Sequence, residues 1–367
     1  MTPPGPPVVH VVLPGDVDDV TVPSGGNVYD RTVCDGLAAG GWWVREHPVP
    51  GSWPRPGAPA RGRLGRTLAA LPDGASVLID GLVACAVPDL VAPHARRLRL
   101  VVLVHLPLGD ETGISQALAA ELAAAERAAL HAASAVVATS PWAARRLLEL
   151  HGLPADRVHV AEPGAARASL SRPSEPGTRL LCVASVTPRK GHDVLVEALA
   201  AIAGLDWSCA CVGGLSRDPA YATRLLQLIV ARGLDERIRL TGPRTGARLA
   251  ASYAEADLLV LPSRAETYGM VITEALAHGI PVLATAVGGV PDALGRAPDG
   301  SLPGLLVQPG DAHALAAALR HWLRDAELRQ TLRAAARQRR GTLPGWDATV
   351  HRLGAVLAAS DPSLRTA

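Results

Sequence analysis

Two glutamates stand eight positions apart in 263-SRAETYGMVITEALAHG-279, Glu266 before a Gly-Met step and Glu274 after it. An ionised carboxylate only accepts hydrogen bonds, and two oxygens suit a pair of neighbouring hydroxyls. A helix that starts near Met270 leaves the amides of Gly269, Met270 and Val271 pointing outward. Such amides hold phosphate, helped by a dipole worth about half a positive charge. Taken singly, Glu274 also reads as an acid complementing a helix dipole, and Glu266 as a solvated loop residue. A second stretch, 187-TPRKGHD-193, places Arg189 and Lys190 past a strand end and just before a helix. A guanidinium fork beside a compact ammonium suits a diphosphate; the plain alternative is an exposed basic turn. Lys190 is the one lysine among 36 lysines and arginines, so its retention here favours a function.

Two further stretches lie earlier. In 105-HLPLG-109, His105 closes an apolar run, where α/β sites collect and where an imidazole can exchange hydrogen bonds with a substrate hydroxyl. A satisfied structural histidine is the competing reading. In 24-SGGNVYD-30, Gly25 and Gly26 lead into a helix beside Asn27, the only asparagine, so backbone amides can approach a phosphate or sugar. A plain turn explains the same residues. The usual dinucleotide and P-loop glycine patterns are absent. The string 16-DVD-18 is a surface loop before it is a metal ligand, and no metal site is expected.

The elements that must carry these residues are strand-like runs alternating with Ala/Leu-rich helical patterns. The runs 8–14, 77–83, 100–106 and 135–140 are rich in Val, Leu and Ala, as strands buried on both faces are. A helix is predicted over 115–133 and another from Pro141. The Pro/Gly/Ser stretch 163–179 is a linker candidate. A second series follows, with strands at 179–185, 207–213, 237–242, 257–262, 281–286 and 304–309, and helices at 191–202, 219–232, 246–255 and 311–325. The break at 341–346 precedes a last helix. This order predicts two Rossmann-like, doubly wound parallel sheets facing a cleft, with domains at 1–165 and 166–345 and a final segment at 346–367. Residues 42–57, with three tryptophans, are a candidate lid or acceptor loop.

Composition bounds the rest. The chain has 367 residues, 48 % of them apolar, enough for two cores, and a net charge of +2 gives no basic track for nucleic acid. Neither a signal peptide nor a spanning helix is expected, which suggests a cytoplasmic protein. The five cysteines lack metal-like spacing and read as small buried hydrophobes. The arginines of 95–100 are either a solvated edge or a peripheral contact with anionic lipid.

Together these stretches resemble the retaining GT-B glycosyltransferases of family 4, relatives of the sucrose, mannosyl and glycogen synthases. The resemblance rests on Glu266-x7-Glu274 within "LPSRAE" and "TEALAHGIPVLATAVGGVPD". It extends to "VASVTPRKGHDVLVEAL", "RIRLTGPR", "GLLVQPGD" and "AERAALHAASAVVATS", nearly the whole chain. It implies a nucleoside-diphosphate sugar as donor, a small-molecule, glycan or lipid acceptor, no metal or other cofactor, and a monomer or homodimer. Arg189 and Lys190 would hold the diphosphate, Glu266 the donor sugar and Glu274 the ribose. The amides of Gly269, Met270 and Val271 would reach phosphates or sugar. His105 would match the family's active-site histidine, and Gly25 and Gly26, with Asn27 beside them, the Gly-rich donor loop. The last helix would cross back onto the first domain. One departure is Ala184-Ser185, where many relatives carry Gly-Arg; it leaves more of the charge work to Arg189 and Lys190. The competing readings are a sugar-nucleotide-binding protein without catalysis and, lacking its glycine fingerprint, a nicotinamide oxidoreductase.

Overall fold

The structure is a computed structural model, and it describes residues 6–361. The ends of the expected first and last segments, 1–5 and 362–367, lie outside the described residues. Two compact units form: residues 1–18, 25–163 and 346–367, and residues 19–24 and 164–345.

The first unit begins β1 (Val8–Pro14), α1 (Gly25–Ala39), β2 (Trp43–Val49), α2 (Ala58–Ala70), β3 (Ser76–Asp80), α3 (Gly81–Ala84) and α4 (Pro88–Val91). It continues β4 (Arg99–Val104), α5 (Gln116–Ala132), β5 (Ala135–Ala138), α6 (Pro141–His151) and β6 (Val158–Val160). Its sheet runs β2-β1-β3-β4-β5-β6, all parallel. Leu78, Ile79, Val101 and Val102 are almost wholly buried, as continuous apolar runs in a sheet covered on both faces require.

The second unit runs β7 (Arg179–Val183), α7 (His192–Ala200), β8 (Ser208–Val212), α8 (Pro219–Ala231), β9 (Ile238–Leu240), α9 (Gly246–Ala254) and β10 (Leu258–Leu261). Then come α10 (Met270–Ala277), β11 (Val282–Thr285), α11 (Val290–Leu294), β12 (Gly304–Val307), α12 (Ala312–Arg324) and α13 (Ala326–Arg340). The last helix, α14 (Trp346–Ser360), belongs to the first unit. The second sheet, β12-β11-β10-β7-β8-β9, is also parallel throughout. The expected α/β architecture of two parallel sheets is therefore present. In each sheet the strand order reverses once, between β1 and β3 in the first and between β7 and β10 in the second. Ligands of open α/β sheets bind beyond the carboxyl ends of the strands at such a reversal.

The structure corrects one expectation and fills a gap. Half of the supposed lid, 42–57, is the edge strand β2. Its residues include Arg45, Glu46, His47 and Pro48, and Trp43 is 58 % exposed, so no apolar run betrays it. The arginine-rich α13, left unassigned by the sequence reading, buries Leu332, Ala335 and Ala336 and little else that is apolar. The arginines of 95–100 are partly engaged: Arg97 donates to the carbonyls of Leu68 and Leu71, and Arg99 pairs with Asp361. All five cysteines are free and buried. Among the described residues no helix is long and apolar enough to cross a membrane.

Candidate active site

In the second unit two loops meet at the sheet reversal, one after β7 and one after β10. Residues 188–190 make a single 3-10 turn, and Gly191 follows with φ +68°. A Cβ on Gly191 would lie 2.1 Å from the carbonyl oxygen of Pro262, so only glycine permits this approach. The loops are stitched by backbone and side chain. The amide of Arg264 donates to the Arg189 carbonyl at 2.7 Å, and Arg189 Nη1 to that of Ala265 at 3.2 Å. The Arg264 guanidinium grips Asp193 with two bonds of 2.8 and 2.7 Å, and Tyr221 donates to the same carboxylate at 2.7 Å.

This packing brings three ionisable groups together. Lys190 Nζ donates to Glu266 Oε1 at 2.5 Å, Ser263 donates to the same oxygen at 2.8 Å, and Arg189 Nη1 stands 3.7 Å from Oε2. Glu266 is 6 % exposed. Burial alone would raise its carboxyl pKa, but the charges of Lys190 and Arg189 outweigh it and hold the group below its usual range. Burial lowers the Lys190 pKa, against the pull of Glu266. Arg189 and Lys190 thus both face the one carboxylate of Glu266.

Beside it stands the start of α10. Gly269 has φ +92° and no side chain caps the helix. The segment is held from behind: Gly289 N–H donates to the Glu266 carbonyl at 3.1 Å, and Thr285 Oγ1 to that of Ser263 at 2.5 Å. Glu274 lies in the second turn, half-buried, and accepts from the Tyr253 hydroxyl at 2.6 Å. Burial raises its carboxyl pKa against that hydrogen bond. Tyr253 is itself buried and stacks on His278 at 5.1 Å. At the departure from the family pattern, the Ala184 carbonyl sits where a Cβ on Gly213 would meet it at 1.9 Å.

The remaining sequence candidates lie in the first unit. Gly25, Gly26 and Asn27 form the first turn of α1, and Asn27 donates to the Asp16 carbonyl at 3.0 Å. A Cβ on Gly26 would be 3.3 Å from His105 Cδ2, so this glycine packs against the imidazole. His105 sits just past β4 and is flanked by two buried acids, Asp30 and Asp80. Its Nε2 lies 2.8 Å from Asp30 Oδ1 and 3.6 Å from Asp80 Oδ2. A surface hollow of about 470 Å3, lined by His10, Arg45, His47 and Arg66, holds none of the candidate residues.

Sequence reasoning missed Asp30, Asp80, Asp193, Tyr253 and Ser263. Two left a signal. Asp80 ends the apolar run 77-VLID-80, and Asp30 falls at helical spacing with Gly26, Cys34 and Leu37 on the inner face of α1.

Residues 168–339 match the family described as "Glycosyl transferases group 1", and residues 13–166 the one described as "Glycosyltransferase Family 4". Together the two glycosyltransferase matches cover most of the chain. It is 36 % identical over 252 residues to D-inositol 3-phosphate glycosyltransferase 1 of Catenulispora acidiphila, covering 64 % of this chain and 59 % of that protein. It is 37 % identical over 231 residues to the D-inositol 3-phosphate glycosyltransferase of Nocardia farcinica, covering 58 % and 50 %. The aligned region thus spans 59 % of the first relative and 50 % of the second. Among solved structures, sucrose-phosphate synthase from Thermosynechococcus elongatus aligns with TM-score 0.77 at 23 % identity over 95 % of this chain and 98 % of that one. Anabaena HepE in complex with UDP-glucose gives 0.76 at 19 %, over 96 % and 99 %. These likenesses establish the GT-B fold.

Proposed function

We propose that the protein is a retaining, metal-independent glycosyltransferase that moves a sugar from a nucleoside-diphosphate sugar to an acceptor. The observation that carries this reading is the gathering of Arg189 and Lys190 around Glu266 beside the uncapped start of α10. When the glycosidic bond breaks, negative charge grows on the departing diphosphate. Fixed cations and outward amides aimed at that charge lower the barrier without reorganising. Arg189 and Lys190 supply the cations, and Gly269, Met270 and Val271 the amides.

Glu266 Oε1 is occupied by Lys190 and Ser263, so Oε2 is the oxygen for a hydroxyl of the donor sugar. Glu274, oriented by Tyr253, accepts the ribose hydroxyls. No carboxylate is assigned as a covalent nucleophile. The working mechanism is a front-face displacement, in which the leaving phosphate oxygen takes the acceptor's proton as the new bond forms. His105, with Gly25, Gly26 and Asn27, is the candidate to meet a sugar hydroxyl, as the family resemblance implies. The acceptor is a small molecule, glycan or lipid. The name of these relatives makes D-inositol 3-phosphate the first to try, and the UDP-glucose bound to Anabaena HepE makes that donor the first probe.

The test is a thermal-shift screen of UDP-, GDP- and ADP-sugars, followed by acceptor trials with the hit. A stabilising donor and a transferred sugar with retained anomeric configuration are expected. No shift with any nucleotide sugar would overturn the reading. A shift without transfer to water or any acceptor would favour a binding protein on the same fold.

A further inference from the structure

Three side chains of the first unit meet near its own sheet reversal: Asp30 from α1, Asp80 at the end of β3, and His105 after β4. Their polar atoms lie within 4.8 Å of one another. Asp30 is 2 % and Asp80 4 % exposed, and the His105 side chain is 23 % exposed. Two ionised carboxylates and one imidazolium would leave a buried negative charge without a partner, at a cost of several kcal/mol. Something positive must cancel it.

The hydrogen bonds point to where it sits. Asp80 Oδ1 accepts from Leu82 N–H at 2.6 Å, as the cap of α3, which leaves Oδ2 for a proton. Asp30 Oδ1 is 2.8 Å from His105 Nε2, while Asp30 Oδ2 is buried and has no hydrogen-bond partner. Burial and then the Asp30 charge push the Asp80 carboxyl up to about 8. Burial would lower His105, but the Asp30 charge and hydrogen bond, with Asp80 behind them, raise it to about 9. Also against this cluster are Tyr29 of α1, edge-on to the imidazole at 5.2 Å, Cys34 of α1, which feels the Asp30 charge, and Cys85, which ends α3 and feels that of Asp80. Arg352 of α14 acts on Tyr29.

We propose that Asp30 and Asp80 hold one proton between them beneath His105. This keeps the imidazole doubly protonated, with Nε2–H committed to Asp30 and Nδ1–H offered to a substrate oxygen. His105 is then a hydrogen-bond donor at neutral pH and not a general base. Asp30 and Asp80 are positioning residues that set its charge and ring orientation. The substrate part of this inference rests on the active-site role given to His105 above; the protonation part does not.

The experiment is NMR of the imidazole nitrogens in the full chain without substrate, from neutral to alkaline pH. Two protonated nitrogens on His105 are expected at neutral pH. Asp30→Asn should weaken its proton affinity at least about tenfold, one pKa step. Asp80→Asn, which imitates the protonated acid and keeps the acceptor for Leu82, should leave His105 doubly protonated. A neutral His105 in the unmodified protein would overturn the proposal, and that spectrum decides even if a variant fails to fold. Equal effects of the two substitutions would also overturn it. So would added Mn2+ or Zn2+ displacing the proton and perturbing the His105 signals of chelator-treated protein. Because no donor is present, the spectrum reads the cluster even if the nucleotide-sugar screen fails.

Discussion

The two units carry ionic clusters of opposite composition. In the first, Asp30, Asp80 and His105 hold one acid too many. In the second, Arg189 and Lys190 face one acid, Glu266. Both lie near the reversal of a parallel sheet, where strand ends and loops converge. The roles proposed for them differ accordingly. The acidic cluster would keep a proton, and the basic cluster would receive the diphosphate of a substrate. In those roles, chemistry that gathers negative charge falls to the second cluster, and hydrogen-bond donation of fixed polarity to the first.

The sharpest way to break this contrast is to remove a cation from the second cluster. Lys190→Ala should lower turnover at least about a hundredfold, as loss of a fixed donor to developing charge does; a near-normal steady-state rate would remove Lys190 from the mechanism. Glu266→Gln separates charge from sugar recognition. It should cost about 3 kcal/mol of stability in denaturant unfolding, because a buried pair loses one partner. Calorimetry should nevertheless find the free nucleoside diphosphate bound at least as tightly as by the unmodified chain, while transfer falls. Weaker diphosphate binding would contradict the proposed role of Arg189 and Lys190.

Smaller effects sharpen the first cluster and the nucleotide end. The kcat/KM profile should fall as pH rises through about 9, where His105 loses its proton, and Asp30→Asn should move that fall to lower pH. By linkage, a His105 pKa raised above its ordinary value of 6.5 adds stability that is complete below that value. That stability is lost as pH rises through about 9, which melting curves across this range can follow. Tyr253→Phe removes the hydroxyl that orients Glu274, worth about 1 kcal/mol, and should raise the donor KM a few-fold with kcat little changed. Excess EDTA should change nothing; a reversible loss of turnover would end the metal-independent reading.

The fold class was legible because buried parallel strands write themselves as continuous Val and Leu runs, as at 77–83 and 100–106. The helix over Met270–Ala277, with Gly279 at φ +70° beyond its end, was equally readable from its Gly-Met start and terminal glycine. Strand β2 was hidden because an edge strand needs no apolar run. Contacts between distant residues were hidden for another reason. Asp30 and His105 lie 75 positions apart, and Lys190 and Glu266 lie 76 apart. Single residues announced their chemistry, but not which charge would face which. The ion pair that occupies Glu266 Oε1 could be learned only from the packing of Gly191 against Pro262.

The return of α14 to the first unit has a consequence for how the chain is made. Trp346 lies edge-on to Tyr29 at 5.5 Å, Thr349 Oγ1 donates to the Glu162 carbonyl at 2.6 Å, and Leu353 and Leu357 are fully buried. Residues 164–345 are synthesised before that helix exists and have their own sheet and core. On the ribosome the later unit can therefore close first, while the earlier one waits with the surface around Tyr29 and Leu37 uncovered. A nascent chain halted before Trp346 would display that surface, and chaperone capture would report it.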